Sequence, residues 1–536
     1  MDHKIVYQIY PKSFKDSNAD GEGDIRGIIE KLDYLSFLGV DVLWLTPVFI
    51  SPQNDNGYDV QDYYHVDPRF GTDDDLQELI DKARAKNIDI MLDMVFNHSS
   101  TEHVWFQKAL KQEKDYMNRY YFVKDKVNWQ SKFGGSAFKY VPELDMYYLH
   151  LFHETQADLN WEHPQVFAEF VKICNYWLEK GVRGFRFDVI NLISKPKLFL
   201  DDETGDGRKY YTDGPKVTEY LRTLGKESYA KYDDVMTVGE LSSTSIEKAS
   251  QYSKKGESGL STIFNFHHLK VDYRDGDKWS LKAFDFLELK KIYASWQMGM
   301  LKENASMSLF LNNHDQPRAI SRFTDESFEG AAMLANMIFT LKGVVYIYQG
   351  EEIGLPNANF DSIEDYQDIE TKNYYNILQE YKNENEIIAI FKERSRDNGR
   401  TPIPWNDYDV NYGFSETQPW LSFSKSNKLK SVSECLEDHS SIFYYYKDLI
   451  AIRKADAVLI EGDIEFIDLD HPQLFVYYRT HREIRYLCIH NFYKKEVYYK
   501  VNPNINSVIV HNYENPKIVE NKVILRPYES IVLEYK

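Results

Sequence analysis

Four short segments of the 536-residue chain place carboxylates, arginine, histidine and asparagine where strand-like apolar runs end. They read Asp93-Met-Val-Phe-Asn97-His98, Gly184-Phe-Arg186-Phe-Asp188, Val238-Gly239-Glu240 and Asn312-Asn313-His314-Asp315. In the second, alternate residues share a face, so Arg186 and Asp188 point one way and Phe185 and Phe187 the other. A guanidinium two residues away favours the ionised form of Asp188 and fixes its orientation. A single strand-terminal aspartate reads as a helix cap or an ion-pair partner. Asp188, Glu240 and Asp315 at three such ends, with Arg186, His98 and His314 nearby, would repel one another, so a structural role accounts for them poorly. Such carboxylates suit acetal chemistry. A retaining glycosidase needs one as nucleophile and another as acid then base, about 5–5.5 Å apart.

The elements that must position them alternate. Strand patterns are expected at 6–10, 40–46, 88–95, 184–190, 235–239, 262–266, 308–311 and 344–348, with helical periodicity at 24–38, 74–86, 164–180 and 215–229. Eight strands with intervening helices predict a (β/α)8 TIM barrel, in which reactive groups sit at the C-terminal strand ends. Two connections are too long for ordinary loops. We expect barrel segments at 1–98 and 170–458, an inserted small domain at 99–169 after the third strand, and a long insertion at about 354–430 after the eighth, with a helical stretch at 372–391. After a helix at 441–454, short alternating runs at 465–467, 474–478, 485–491, 507–510 and 523–525 predict a C-terminal antiparallel β-sandwich over 459–536.

Composition narrows the partners. With 64 Lys and Arg against 84 Asp and Glu, the net charge is −20, which argues against nucleic acid and anionic membranes. The three cysteines show no CxxC spacing, so neither a zinc ribbon nor a disulfide framework is expected. The start, MDHKIVYQIY, lacks a signal-type apolar run, and no stretch is long enough to span a membrane, so a cytoplasmic protein is expected.

Together the four segments resemble the signature regions of the α-amylase superfamily, glycoside hydrolase family 13. Gln156-Ala-Asp158-Leu-Asn160 resembles its fifth region, and Gly57-Tyr58-Asp59 and Ser395-Arg-Asp-Asn-Gly-Arg400 extend the match over nearly the whole chain. The resemblance implies Asp188 as nucleophile, Glu240 as general acid/base and Asp315 as a transition-state stabiliser that binds the 2- and 3-hydroxyls. It implies that Arg186 orients Asp188 and that His98 and His314 bind glucosyl hydroxyls. Tyr58 would stack on the same sugar, and Asp59 and Arg400 would pair behind it, which implies an exo-acting α-glucosidase with no organic cofactor.

The run Asp16-Ser-Asn18-Ala-Asp20-Gly-Glu22-Gly-Asp24 sets oxygen side chains on alternate residues, a pattern that suits a hard cation. It resembles half an EF-hand loop without the bidentate glutamate. The subfamily resemblance implies a structural Ca2+ there, with the carbonyl of residue 22 as a ligand.

Within the family, Asp188-Val-Ile-Asn191 resembles oligo-1,6-glucosidases, dextran glucosidases and trehalose-6-phosphate hydrolases. Thr237-Val-Gly-Glu240-Leu-Ser-Ser243 and Phe266-His267-His268-Leu-Lys270 resemble the last group, which implies a small phosphorylated disaccharide as substrate. His267, His268 and Lys270 are candidate donors to its phosphate, because a phosphomonoester seeks cationic donors; Arg208 is a weaker one. The alternatives are an oligo-1,6-glucosidase or dextran glucosidase acting on isomaltooligosaccharides, a sucrose-isomerising relative, and a non-catalytic scaffold. The last would need a membrane anchor and would tolerate loss of the carboxylates this chain keeps.

Overall fold

A computed structural model describes residues 1–257 and 259–535. Eight short strands are buried almost throughout: β1 Ile5–Ile9, β2 Val42–Leu45, β3 Asp89–Met94, β4 Gly184–Phe187, β5 Met236–Glu240, β6 Thr262–Phe264, β7 Ser308–Leu309 and β8 Val344–Tyr348. They lie in the order 6-5-4-3-2-1-8-7, with every neighbouring pair parallel. The two end strands meet, with Thr262 Oγ1 and Ser308 Oγ 3.2 Å apart, and the sheet curls into the expected barrel. Runs such as Val344-Val-Tyr-Ile-Tyr348 follow from this: strands covered on both faces need no polar alternation.

Departures from the expected bounds have local causes. Strand β4 stops at Phe187 instead of continuing to 190, because Val189 adopts a left-handed conformation (φ 35°, ψ 40°) and a 3-10 turn, Ile190–Leu192, follows. A β-branched residue in that region is strained. The kink leaves Asp188 at the barrel mouth while its amide still donates to the Met94 carbonyl of β3 at 3.0 Å. The helical pattern at 24–38 divides into Ile25–Glu30 and Leu32–Leu38 at Lys31, whose φ and ψ of −102° and 8° are not helical.

The insertion after β3 opens with His98–Ser100 paired antiparallel to Gln156–Asp158. It carries a three-stranded antiparallel sheet of Phe122–Val123, Phe138–Val141 and Met146–Leu149. Its Trp129, Phe138 and Leu149 pack against Val189, Leu192 and Tyr211, so its core continues into the loop beyond β4. The expected boundary at 169/170 falls inside the helix Pro164–Glu179, which His163 caps, so the insertion ends before Pro164.

The segment after β8 contains two helices, Ile369–Leu378 and Glu384–Arg394, where one was expected over 372–391. They share a small core with Phe360, Tyr366 and Trp279. Helix Ala457–Ile460 straddles the expected 458/459 boundary, and the C-terminal domain begins at Asp463. That domain stacks a five-stranded antiparallel sheet on a three-stranded one through Val476, Leu487 and Leu533 against Val523 and Leu525. Strands Val497–Lys500, Lys517–Val519 and Ser530–Tyr535 were not expected from the pattern. Among the described residues no helix is long and apolar enough to cross a membrane.

Candidate active site

At the C-terminal mouth of the barrel one guanidinium gathers three carboxylates. Arg186, 1% exposed, donates from Nη1 to Asp93 Oδ1 and to Asp188 Oδ1, both at 2.7 Å, and pairs through Nη2 with Glu240 Oε2. The β3–β4 and β4–β5 registers set Arg186 opposite Asp93 on one side and Val238 on the other, two residues short of Glu240. Asp93 is sealed, and its second oxygen accepts from Trp44 Nε1 at 3.2 Å and from the Tyr58 hydroxyl at 2.9 Å. Burial raises its carboxyl above the usual range, with Arg186 opposing and the Asp188 charge reinforcing the shift. The Asp188 and Glu240 side chains keep 9% and 13% of their surface open. Asp93 therefore anchors the arginine, while Asp188 and Glu240 remain available to a ligand.

Asp315 stands at the end of the loop after β7. Its Oδ2 lies 3.1 Å from His314 Nε2, and its Oδ1 accepts from Arg400 Nη2 at 2.8 Å and from Arg396 Nη1 at 3.2 Å. Burial would raise this carboxyl, but His314, Arg396 and Arg400 together hold it well below the usual carboxylate range. Asp315 is thus ionised across the working pH range. The His314 ring stacks parallel to Tyr58 at 5.3 Å between centroids, and Gln8 Nε2 bonds its Nδ1 at 2.7 Å. Hence Tyr58 is committed to a His314–Asp93 network as well as to the pocket wall. His98 is buried, held by the Tyr58 carbonyl at 3.1 Å and Asn97 Nδ2 at 3.2 Å, and burial lowers its pKa, which keeps it neutral. Behind it, a fully buried pair of Lys195 and Asp158 at 2.6 Å supports Asn97, whose Nδ2 reaches Asp158 Oδ2 at 3.0 Å.

Two expectations need correction. Asp59 does not meet Arg400. It is fully buried, and its oxygens accept from Ser51 Oγ at 2.9 Å and from the amides of Asn54 and Asp55 at 2.9 and 3.2 Å, so it closes the turn. The carboxylate at the pocket end is Asp55, 3.2 Å from Arg396 Nη2, and burial pushes it up to about 7 against the pull of Arg396 and Arg400. Arg396 and Arg400 also share Asp368 Oδ1, at 2.6 and 3.4 Å. Only three residues lie between Asp55 and Asp59, so motif adjacency alone does not tell the pocket residue from the turn-former. We expect Asp55→Asn to cut kcat/KM about 10- to 100-fold, the worth of a hydrogen bond to a charged group, and Asp59→Asn to act first on Tm. Wild-type kcat/KM in Asp55→Asn would place the grip elsewhere.

The second correction concerns the histidine pair. His268 is buried under Tyr293 and Phe310, its Nε2 bonds the Phe310 carbonyl at 2.9 Å, and burial takes its pKa down to about 3. His267 faces outward against Trp296, in a recess with Asp285, Glu288 and Lys291, and burial lowers it to about 4. Both are neutral near pH 7, and neither ring supplies a cation for phosphate. Lys270 is exposed and makes no ion pair among the described residues.

The acidic run near the start folds as successive turns. Asp16 Oδ1 accepts from the amides of Asn18 and Ala19, Asn18 Oδ1 from Asp20, and Asp20 Oδ1 from Glu22, at 2.8–2.9 Å. Asp24 caps helix Ile25–Glu30 through the Gly27 amide at 2.7 Å. The Glu22 carboxylate turns to Lys12 at 3.0 Å, so that side chain is not a ligand. Among the described residues no three acidic, histidine or cysteine side chains converge as a ready metal cage. The donors that remain are all oxygen, which is the chemistry a hard cation requires.

Comparison with known proteins agrees with this architecture. Residues 8–462 match the α-amylase catalytic-domain family, and residues 474–532 match the α-amylase SusG C-terminal domain. The chain is 44% identical to the trehalose-6-phosphate hydrolase of Bacillus subtilis, covering 98% of this chain and 97% of that one. It is 40% identical to the oligo-1,6-glucosidase of Bacillus cereus, covering 99% and 98%. The crystal structure of the trehalose-6-phosphate hydrolase of Bacillus licheniformis is similar at a TM-score of 0.95 and 46% identity, with 99% of both chains covered.

Proposed function

The chain belongs to the α-amylase catalytic-domain family, and from that premise we infer that it is a glycoside hydrolase that cleaves α,α-trehalose 6-phosphate into glucose and glucose 6-phosphate. The observation that carries the chemistry is Arg186 holding Asp188 and Glu240 together at the barrel mouth. Similarity to trehalose-6-phosphate hydrolases over nearly the full length supports the substrate.

Asp188 attacks the anomeric carbon of the non-phosphorylated glucosyl unit while Glu240 gives its proton to the glycosidic oxygen. Glucose 6-phosphate leaves, and a β-glucosyl ester remains on Asp188. Glu240, now a carboxylate, takes a proton from water, which attacks the same carbon and releases α-glucose; Asp188 and the protonated Glu240 are restored. Arg186 holds Asp188 in place for the first step through its 2.7 Å contact. Asp315, ionised beside Arg396 and Arg400, accepts from ring hydroxyls as positive charge develops at the anomeric carbon. The Asp55, Arg396, Asp315 and Arg400 network closes the pocket behind one sugar, which makes the enzyme exo-acting.

Comparing kcat/KM for trehalose 6-phosphate, trehalose and isomaltose tests the substrate. The phosphate ester should be preferred by at least about 10-fold, the lower worth of one charge-assisted contact. A preference for isomaltose would make the chain an oligo-1,6-glucosidase. A phosphorylated sugar of this kind is met inside cells, and we assign the protein to the cytoplasm. We also assign a structural Ca2+ to the first loop, held by side-chain oxygens of Asp16, Asn18, Asp20 and Asp24 and the carbonyl of residue 22. EDTA should then lower Tm and added Ca2+ should restore it; an unchanged Tm would mean that the loop holds no structural ion.

A further inference from the structure

Of the candidate phosphate donors named from the sequence, His267 and His268 are neutral, with His268 turned to the Phe310 carbonyl and His267 against Trp296. One cation from the inserted domain reaches the loop beyond Glu240. Lys132, half-buried, sends its ammonium across to Ser242 Oγ at 3.0 Å. Ser242 is two residues beyond Glu240 and is pinned by Asn191, three residues beyond Asp188. Its amide donates to Asn191 Oδ1 at 2.9 Å, and its carbonyl accepts from Asn191 Nδ2 at 3.0 Å. Lys132 thus reaches the segment that follows Glu240. It is on the Glu240 side, where the acid must reach the leaving oxygen. The opposite end is closed by Asp55, Arg396, Asp315 and Arg400, so the leaving sugar extends toward Lys132.

The charge around Lys132 is unbalanced. It makes no ion pair among the described residues; its remaining contact is with the Tyr211 ring, 5.5 Å from the ammonium to the centroid. Burial, followed by the charges of Arg208 and Lys270, lowers its pKa to about 7, with Asp206 and Asp158 pulling the other way. The same repulsion from Arg208 follows burial in lowering Lys270. Arg208 is exposed and tied to Asp206 at 3.2 Å. Three cations brought together from the insertion, the β4 loop and the β6 loop, in a chain of net charge −20, disfavour one another until an anion arrives.

Building on the trehalose 6-phosphate reading, we propose that Lys132 is a specificity-determining residue that binds the phosphate of the leaving-group sugar, with Arg208 and Lys270 completing the anion site. Lys132 exchanges part of its Ser242 contact for a charge-assisted bond to a phosphate oxygen, and it contributes nothing to the glucosyl pocket.

The test measures kcat/KM on trehalose 6-phosphate and on p-nitrophenyl α-glucoside for the wild type, Lys132→Ala and Lys132→Arg, with inhibition by glucose 6-phosphate alongside. Lys132→Ala should lower the ratio of the two kcat/KM values about 10- to 100-fold, mainly through KM, and weaken glucose 6-phosphate inhibition by a similar factor. Lys132→Arg should recover most of both. A parallel loss on both substrates would make Lys132 a tether for the insertion and overturn the proposal, as would an unchanged ratio and inhibition constant. If the wild type itself ignores the phosphate, the substrate reading fails first and takes the proposal with it.

Discussion

Asp188→Asn is expected to lose on the order of 10^4-fold or more in kcat on trehalose 6-phosphate, with the fold intact. The amide cannot form the glucosyl ester, and its near-identical shape leaves the β4 kink and the surrounding packing in place. Glu240→Gln should be less uniform. Its loss should reach about 10^2- to 10^4-fold on the natural substrate, the usual worth of a general acid, and should be smaller on p-nitrophenyl α-glucoside, whose leaving group needs little protonation. Steady-state kinetics on the two substrates, with circular dichroism to verify folding, separates the roles. Equal losses on both substrates in Glu240→Gln would remove it as the acid. Near wild-type activity in Asp188→Asn would remove the nucleophile.

The second large effect is on stability. Arg186 is the only guanidinium bonded to Asp93, Asp188 and Glu240 among the described residues, and Asp93 is sealed from solvent. Removing one partner of a buried ion pair costs about 3–5 kcal/mol because the other charge is left uncompensated. Arg186→Gln should therefore unfold at lower denaturant concentration and be nearly inactive. The pH dependence has a definite sign. Asp93 is already raised in the folded protein, and loss of the guanidinium raises it further, so below its folded pKa the native state holds a proton that the unfolded state has released. The deficit relative to wild type should therefore shrink as pH falls from 8 toward 5. A deficit that is the same at both pH values would mean that the carboxylates do not carry the cost.

Much of this site was legible in the sequence, for a physical reason. Barrel strands bring their C-terminal ends to one mouth, so Asp188, Glu240 and Asp315 converge wherever the strands are recognised. The alternation in Gly184-Phe-Arg186-Phe-Asp188 already set Arg186 and Asp188 on one face, as their 2.7 Å contact bears out. What escaped lay in loops, where neighbours in sequence need not be neighbours in space. Asp55 and Asp59 share one turn, yet only the structure separates the pocket carboxylate from the turn-former. His267 and His268 look cationic on the page, but a 3-10 turn at His267–Leu269 sends one to the Phe310 carbonyl and the other to Trp296. Lys132 carried no signal, because 110 residues separate it from Ser242. The divided helix at Lys31 and the strained Val189 depend on packing that periodicity does not record.

A double displacement on trehalose 6-phosphate through Asp188 and Glu240 fixes the anomer released, which proton NMR of the first turnovers reads directly. Glucose and glucose 6-phosphate should appear in equal amounts, with the glucose released as the α-anomer before mutarotation. Release of β-glucose, or failure to cleave the phosphate ester while isomaltose is hydrolysed, would contradict it.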